Sequence, residues 1–156
     1  MKKVSNLKKS VSAIIFAIII MVFTFSACSK EYNREEAAQK LLTLCNETRA
    51  NENLTELTIN EKLNENAQER ADEIAESGEF SHIRPDGSGC LTVIKTDYIY
   101  AGENLAKGDG NAENIFKEWM ASTSHKENIM NGAYTQTGFG CAQKDGTVYW
   151  VQLFVG

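Results

Sequence analysis

Apolar residues recur every three or four positions through the first half of the chain and every second position near its end, which predicts helices followed by strands. Over residues 35–50, Ala38, Leu41, Leu42, Cys45 and Thr48 share one side of a helix whose opposite side is charged. The stretch 51–59 interrupts it. Asn60 then offers an N-cap, and Leu63, Ala67, Ala71, Ile74 and Ala75 mark a second helix closed by Gly78. Asn111 caps a third helix running to about Ser122, with Ile115, Phe116, Trp119 and Met120 facing inward. Ser124-His125-Lys126-Glu127 has the capping-box pattern, so His125 is expected in the first turn of a short fourth helix closed by Asn131-Gly132. Residues 137–143 and 147–154 alternate around Lys144-Asp145-Gly146, the signature of a hairpin. The stretch 91–99 fits a short helix or a strand equally. Helices followed by strands, with no regular βα alternation, describe an α+β domain or a small layered α-β-α sandwich.

The first 27 residues stand apart. Lys2, Lys3, Lys8 and Lys9 precede an apolar run of 15 residues that ends at Ser26-Ala27-Cys28. A basic start, a short apolar core and small residues describe a secretory signal, and the run falls short of the roughly 20 residues that span a bilayer as a helix. The expected organisation is a signal at 1–27, a tether at 28–34 and one domain at 35–156. Phe25-Ser26-Ala27-Cys28 resembles the bacterial lipobox, with Phe where Leu is usual. The resemblance implies that Cys28 is lipid-modified and becomes the mature N-terminus, where more than one acyl chain gives stable anchoring. Ordinary secretion, or an uncleaved anchor extending through Ala27, are the alternatives.

Removing the signal takes away four lysines and no acid, which moves the formal net charge from -5 to -9. So acidic a domain, with no cluster of Lys and Arg, lacks a nucleic-acid footprint and has no electrostatic attraction to anionic lipid heads. Past Cys28 the cysteines are Cys45, Cys90 and Cys141, without CxxC or zinc-ribbon spacing. Cys45 reads as a buried free thiol. A Cys90–Cys141 disulfide is expected, because these two fall in loop and strand contexts of an exported domain.

Candidate chemistry centres on Glu103, which lies 21 residues after His82 and 22 before His125, the two histidines of the chain. Gly102 and Asn104 flank it in a stretch that reads as a shaped loop. His82 is placed at a helix-to-loop corner by Pro85-Asp86-Gly87. A helix dipole at His125 is expected to lower its basicity. Ser81 and Ser124 neighbour the histidines without the glycine-rich elbow of a serine nucleophile.

Six ordered motifs then come together: CNETR at 45–49, FSHIRPDG at 80–87, AGENLA at 101–106, WMASTSHKENIM at 119–130, YTQTGFG at 134–140 and YWVQLF at 149–154. In this order and spacing the chain resembles the CAP superfamily of cysteine-rich secretory, antigen 5 and pathogenesis-related domains, in its bacterial SCP-like form. The resemblance covers nearly the whole mature chain. It implies a three-layer α-β-α sandwich with a solvent-open cleft into which two histidines and two acids point. His82, Glu103 and His125 match three of the four. The fourth acid falls on Ser122, three residues after Trp119, leaving Glu118 as the neighbouring substitute. Arg84, Asp86 and Asn128 match motif positions that shape the cleft or touch a ligand.

The resemblance implies that His82, His125 and Glu103 can hold a divalent metal such as zinc, although no cofactor is required by a ligand-binding role. The leading expectation is a non-catalytic, membrane-tethered extracytoplasmic module on the outer face of a bacterial cell membrane, or secreted, whose cleft binds a peptide, a lipid or an envelope glycan. A metal-dependent hydrolase with Glu103 as general base is the runner-up, and a structural envelope protein the third reading.

Overall fold

The computed structural model describes residues 33–156, so the expected signal and the lipidation site Cys28 lie outside the described residues. Asn33 caps α1 (Arg34–Asn51) by accepting a hydrogen bond from the Glu36 amide. Ala37, Leu41, Cys45 and Arg49, each one turn from the last, form its buried edge. Asn60 accepts from the Leu63 amide to start α2 (Glu61–Ser77), and Gly78 ends it in the left-handed conformation, φ 76°, donating its N–H to Ile74 O. Both helices stand within about two residues of the sequence expectation.

Between them lies β1 (Thr58–Ile59). The ambiguous stretch after residue 90 holds a 3₁₀ turn (Cys90–Val93) followed by irregular chain. Then come β2 (Ala101–Gly108), α3 (Ala112–Ala121), α4 (Thr123–Ile129), β3 (Gln136–Lys144) and β4 (Thr147–Val155). The hairpin is as expected: Asp145 and Gly146 have φ of 50° and 80°, the doubly positive turn that matches strand twist.

The sheet order is β1-β3-β4-β2, with β1 parallel to β3 and the other pairs antiparallel. One face carries Phe139, Cys141, Val148, Trp150 and Phe154 against α1 and α3, through Leu41, Cys45, Ile115 and Trp119. The other carries Leu105, Val151, Leu153 and Val155 against α2, through Leu63, Ala67, Ala71 and Ile74. The result is the three-layer α-β-α sandwich that the motifs imply.

Three expectations are corrected. Glu103 sits inside β2, paired across to Leu153, not on a loop. Gly102 supplies room there, not a left-handed backbone: a Cβ on it would lie 2.6 Å from the Tyr134 hydroxyl. Ser124 does not cap α4; the cap is Ser122, which makes no side-chain cap bond, so the capping box is not formed. Finally, Cys90 and Cys141 are free thiols. Cys141 packs into the α1 face of the sheet, whereas Cys90 stands by Glu103 on the α2 face, so the sheet itself separates them.

The contact between α2 and β3 has no room to spare. A Cβ on Gly138 would lie 2.3 Å from the Leu63 carbonyl carbon, and one on Gly140 would lie 2.3 Å from that of Ala67. Both obstacles are helix backbone, which cannot rotate away. We expect Gly140→Ala to lower the unfolding free energy by about 3 kcal/mol, at the upper end of the ordinary overpacking range, read as an earlier midpoint in urea.

Candidate functional site

Glu103 is the floor of the site. Its side chain is 1% exposed, because β2 places it on the α2 face of the sheet beneath the chain that follows that helix. The carboxylate is held at both oxygens: Oε1 accepts from His82 Nδ1 at 2.7 Å, and Oε2 lies 3.2 Å from Arg70 Nε. Arg70 is itself fully buried, reaches the Ser81 carbonyl, and has Glu73 at 3.6 Å. A buried carboxylate is tolerable only with such compensation, so Arg70 and His82 are what permit it.

Loop geometry sets His82. The turn at residues 84–87, with Gly87 at φ 84° donating to Arg84 O, folds the chain back on itself. Ile83 bridges Gly89, and the Cys90 amide donates to the His82 carbonyl at 2.9 Å. His82 and Cys90 therefore face each other across the neck of a small loop. The Arg84 guanidinium does not enter the cleft. It is engaged with Glu73, Glu69 and Thr92, clamping the loop onto α2. Asp86 accepts from the Ser88 amide at the exposed tip.

On the other side, Asn104 donates to the His125 carbonyl, and Asn128 donates to Glu103 O and to Asn104 Oδ1. Asn128 is thus a strut between α4 and β2. His125, half-buried on α4, is made less basic first by burial and then by the neighbouring His82 charge. The direction is the one expected from sequence, but these are its causes. Ser122 lies between the two helices with its hydroxyl 3.3 Å from that of Ser124. Glu118 is exposed on α3, beside Gly108 and Asp109 at the far end of β2, so it does not take the place of the absent fourth acid.

Among the described residues, the three groups gathered closely enough to hold a metal are His82, Cys90 and Glu103, with donor atoms within 4.8 Å of one another. His125 is outside that set and Cys90 is inside it. The other two thiols are different in kind: burial pushes Cys45 and Cys141 up to about 12, which leaves them inert. Two residues of the site escaped sequence reading. Arg70 falls on the same helical face as Ala67, Ala71 and Ile74, a charge on an apolar stripe that marks a buried partner. Cys90 stands as far after Asp86 as His82 stands before it, so the turn between them already implied their meeting.

The chain is similar to known proteins in sequence and in fold. The model of the cysteine-rich secretory protein family, CAP, matches residues 42–154. An uncharacterized Bacillus subtilis protein, YkwD, is 32% identical over 121 residues, 76% of this chain and 46% of that protein. The Bacillus subtilis membrane protein YlbC is 25% identical over 120 residues, 34% of its length, so the chain spans less than half of either curated relative. An outer surface protein from Borrelia burgdorferi superposes with a TM-score of 0.72 at 27% identity, covering 79% of this chain and 94% of that one. An extracellular SCP-domain protein from Bacillus anthracis gives 0.67 at 25% identity, covering 78% of this chain and 41% of its own.

The Cys90 thiol and the Glu103 carboxylate beside the ring raise His82 to about 9, against an ordinary 6.5. A raised histidine stabilises the fold fully below pH 6.5, and that contribution fades as pH rises through 9. We expect the His82 ring resonances, followed by NMR in chelator-treated buffer, to titrate near 9, and Glu103→Gln to move that midpoint down. Urea midpoints of the parent should fall between pH 7 and about 9.5, and fall less in Glu103→Gln.

Proposed function

The chain belongs to the cysteine-rich secretory protein (CAP) family, as a bacterial SCP-type domain, and from that premise we propose that it is an extracytoplasmic ligand-binding module rather than an enzyme. The observation that carries the reading is the contrast between the two halves of the His82–Glu103 pair. The carboxylate is 1% exposed, while 55% of the imidazole faces solvent. A latch serving the fold alone would bury both partners. Here a buried acid fixes the orientation and charge of a surface donor, which is how a binding group is pre-organised.

The same geometry argues against Glu103 as general base. Oε1 is taken by His82, while Oε2, which makes no hydrogen bond, is closed from solvent against the Arg70 guanidinium, so neither oxygen is presented to a water. Ser81 accepts from the Ile83 amide and Ser124 pairs with Ser122, so neither hydroxyl is hydrogen-bonded to an imidazole. The ligand class we infer is a peptide, a lipid or an envelope glycan carrying an anionic or carbonyl group for His82. Exposed Ile83, Tyr98, Ile99 and Tyr100 supply apolar and aromatic contact area on the same molecule. Extracellular and outer-surface relatives support an extracytoplasmic location, and no helix among the described residues is long and apolar enough to cross a membrane.

Equilibrium binding of an envelope-glycan fragment, a peptide library and lipid vesicles to the parent and to three variants tests the reading. His82→Ala should weaken the retained ligand by about tenfold, the loss of one charge-assisted hydrogen bond. Glu103→Gln should weaken it less, and His125→Ala should have an intermediate effect. Binding left unchanged in all three variants would move the site elsewhere. We further propose that Cys28 carries the anchor. Its replacement in Cys28→Ser is expected to shift the protein from the membrane fraction to the medium and to abolish incorporation of labelled fatty acid; unaltered partition and labelling would remove the lipid anchor.

A further inference from the structure

The donor set gathered around Glu103 differs from the two-histidine set implied by the sequence motifs. Its members are an imidazole, a thiol and a carboxylate, and each arrives from a position the fold fixes independently. His82 and Cys90 are cross-strand neighbours at the neck of the 83–89 loop, locked by the Cys90 N–H to His82 O bond and by the Ile83–Gly89 bridge. Directly opposed residues of a two-stranded ribbon project their side chains to the same side. Glu103 comes from the sheet below, and Arg70 steadies its second oxygen, as outer-shell partners commonly orient metal-binding carboxylates.

We propose that His82, Cys90 and Glu103 form a thiolate-bearing site for a thiophilic divalent cation of the zinc type, with His125 not among its ligands. Zinc bonds of about 2.0–2.3 Å to nitrogen, oxygen and sulfur set tetrahedral ligands roughly 3.3–3.7 Å apart. The three donors lie within 4.8 Å of one another, so side-chain rotation of about an ångström closes the set. Cys90 releases its thiol proton and His82 the ring proton now shared with Glu103, both to solvent. Thiolate and carboxylate then neutralise the divalent charge. Arg70 keeps Glu73 as its own counter-ion at 3.6 Å. Imidazole and thiolate select zinc-like ions over magnesium or calcium, which prefer sets built wholly of oxygen. Three protein ligands leave a fourth position toward solvent, on the exposed side of His82.

The site shares His82 and Glu103 with the cleft read above as ligand-binding, and the two readings are told apart because metal binding is read directly, without an organic ligand. The test is titration of the full chain, purified in detergent, reduced and stripped with chelator, using Co²⁺ alone as the probe. One equivalent should develop the visible bands of a four-coordinate ion and a near-ultraviolet thiolate-to-cobalt charge-transfer band, both discharged by Zn²⁺. Cys90→Ser should abolish the charge-transfer band and weaken binding by about tenfold or more, with circular dichroism and the urea midpoint showing a folded protein. His125→Ala should keep the band and the affinity. A parent that binds neither ion, a Cys90→Ser protein that binds as the parent does, or loss of the site in His125→Ala would overturn the proposal.

Discussion

The approach of α2 to the sheet is the constraint on which the other features rest. Gly138 and Gly140 remove the two side chains that would hold the helix away, and the polar contacts of β3 and the delivery of Arg70 both follow from that one contact. With the helix this close, Asn64 accepts from the Phe139 amide, while Gln68 both accepts from and donates to the Cys141 backbone. Two residues of strand advance about 6.8 Å and four residues of helix about 6 Å, so successive turns of α2 meet alternate residues of β3. The outer edge of β3, left bare beyond the two-residue β1, is thereby satisfied without another strand. Arg70, two residues past Gln68, is delivered to Glu103 by the same docking.

The opposite edge follows the same logic with different residues. Along β2 the outward carbonyls of Ala101, Glu103 and Leu105 accept from Tyr134 Oη–H, Asn128 Nδ2 and Trp119 Nε1. An exposed row of acceptors is a template for another chain, and three side chains close it here. Their placement depends in turn on Arg49, fully buried at the end of α1, whose guanidinium donates to the carbonyls of Thr55, Ile129, Asn131 and Tyr134. A buried cation without partners would cost several kcal/mol, and four carbonyls convert that cost into a fixed path for the chain after α4. The candidate site is therefore framed by two buried arginines, Arg70 against Glu103 and Arg49 against the chain after α4.

Helix boundaries and the terminal hairpin were legible because capping residues and periodicity are local. The strand character of β2 was not. Gly102-Glu103-Asn104 carries loop-forming residues, each present for a contact made elsewhere: Gly102 for the Tyr134 hydroxyl, Glu103 for Arg70 and His82, Asn104 for α4. Propensity gave way to tertiary demand at the place where the site is built, as local rules commonly do near function. The two buried arginines went unread for a related reason. Arg49 continues the stripe of Ala37, Leu41 and Cys45, and Arg70 that of Ala67 and Ala71, so the face was legible while its charge was passed over. Cys90 was assigned to Cys141 because sequence shows no faces of a sheet.

These placements change what Glu103 does. Midway between two histidines in sequence, it suggests a reagent shared by both. In the fold it is a foundation, closed from water and held at each oxygen, while the groups that meet solvent are His82 and, half-buried, Cys90 and His125. Such a division separates the cost of burying a charge from the use of one. The Arg70 ion pair stays with the carboxylate if the imidazole turns to a ligand or an ion, so the buried acid would keep a counter-charge even without its hydrogen bond to His82. Under the two readings proposed above, an organic ligand would address the exposed His82, whereas a cation would take Glu103 directly together with His82 and Cys90.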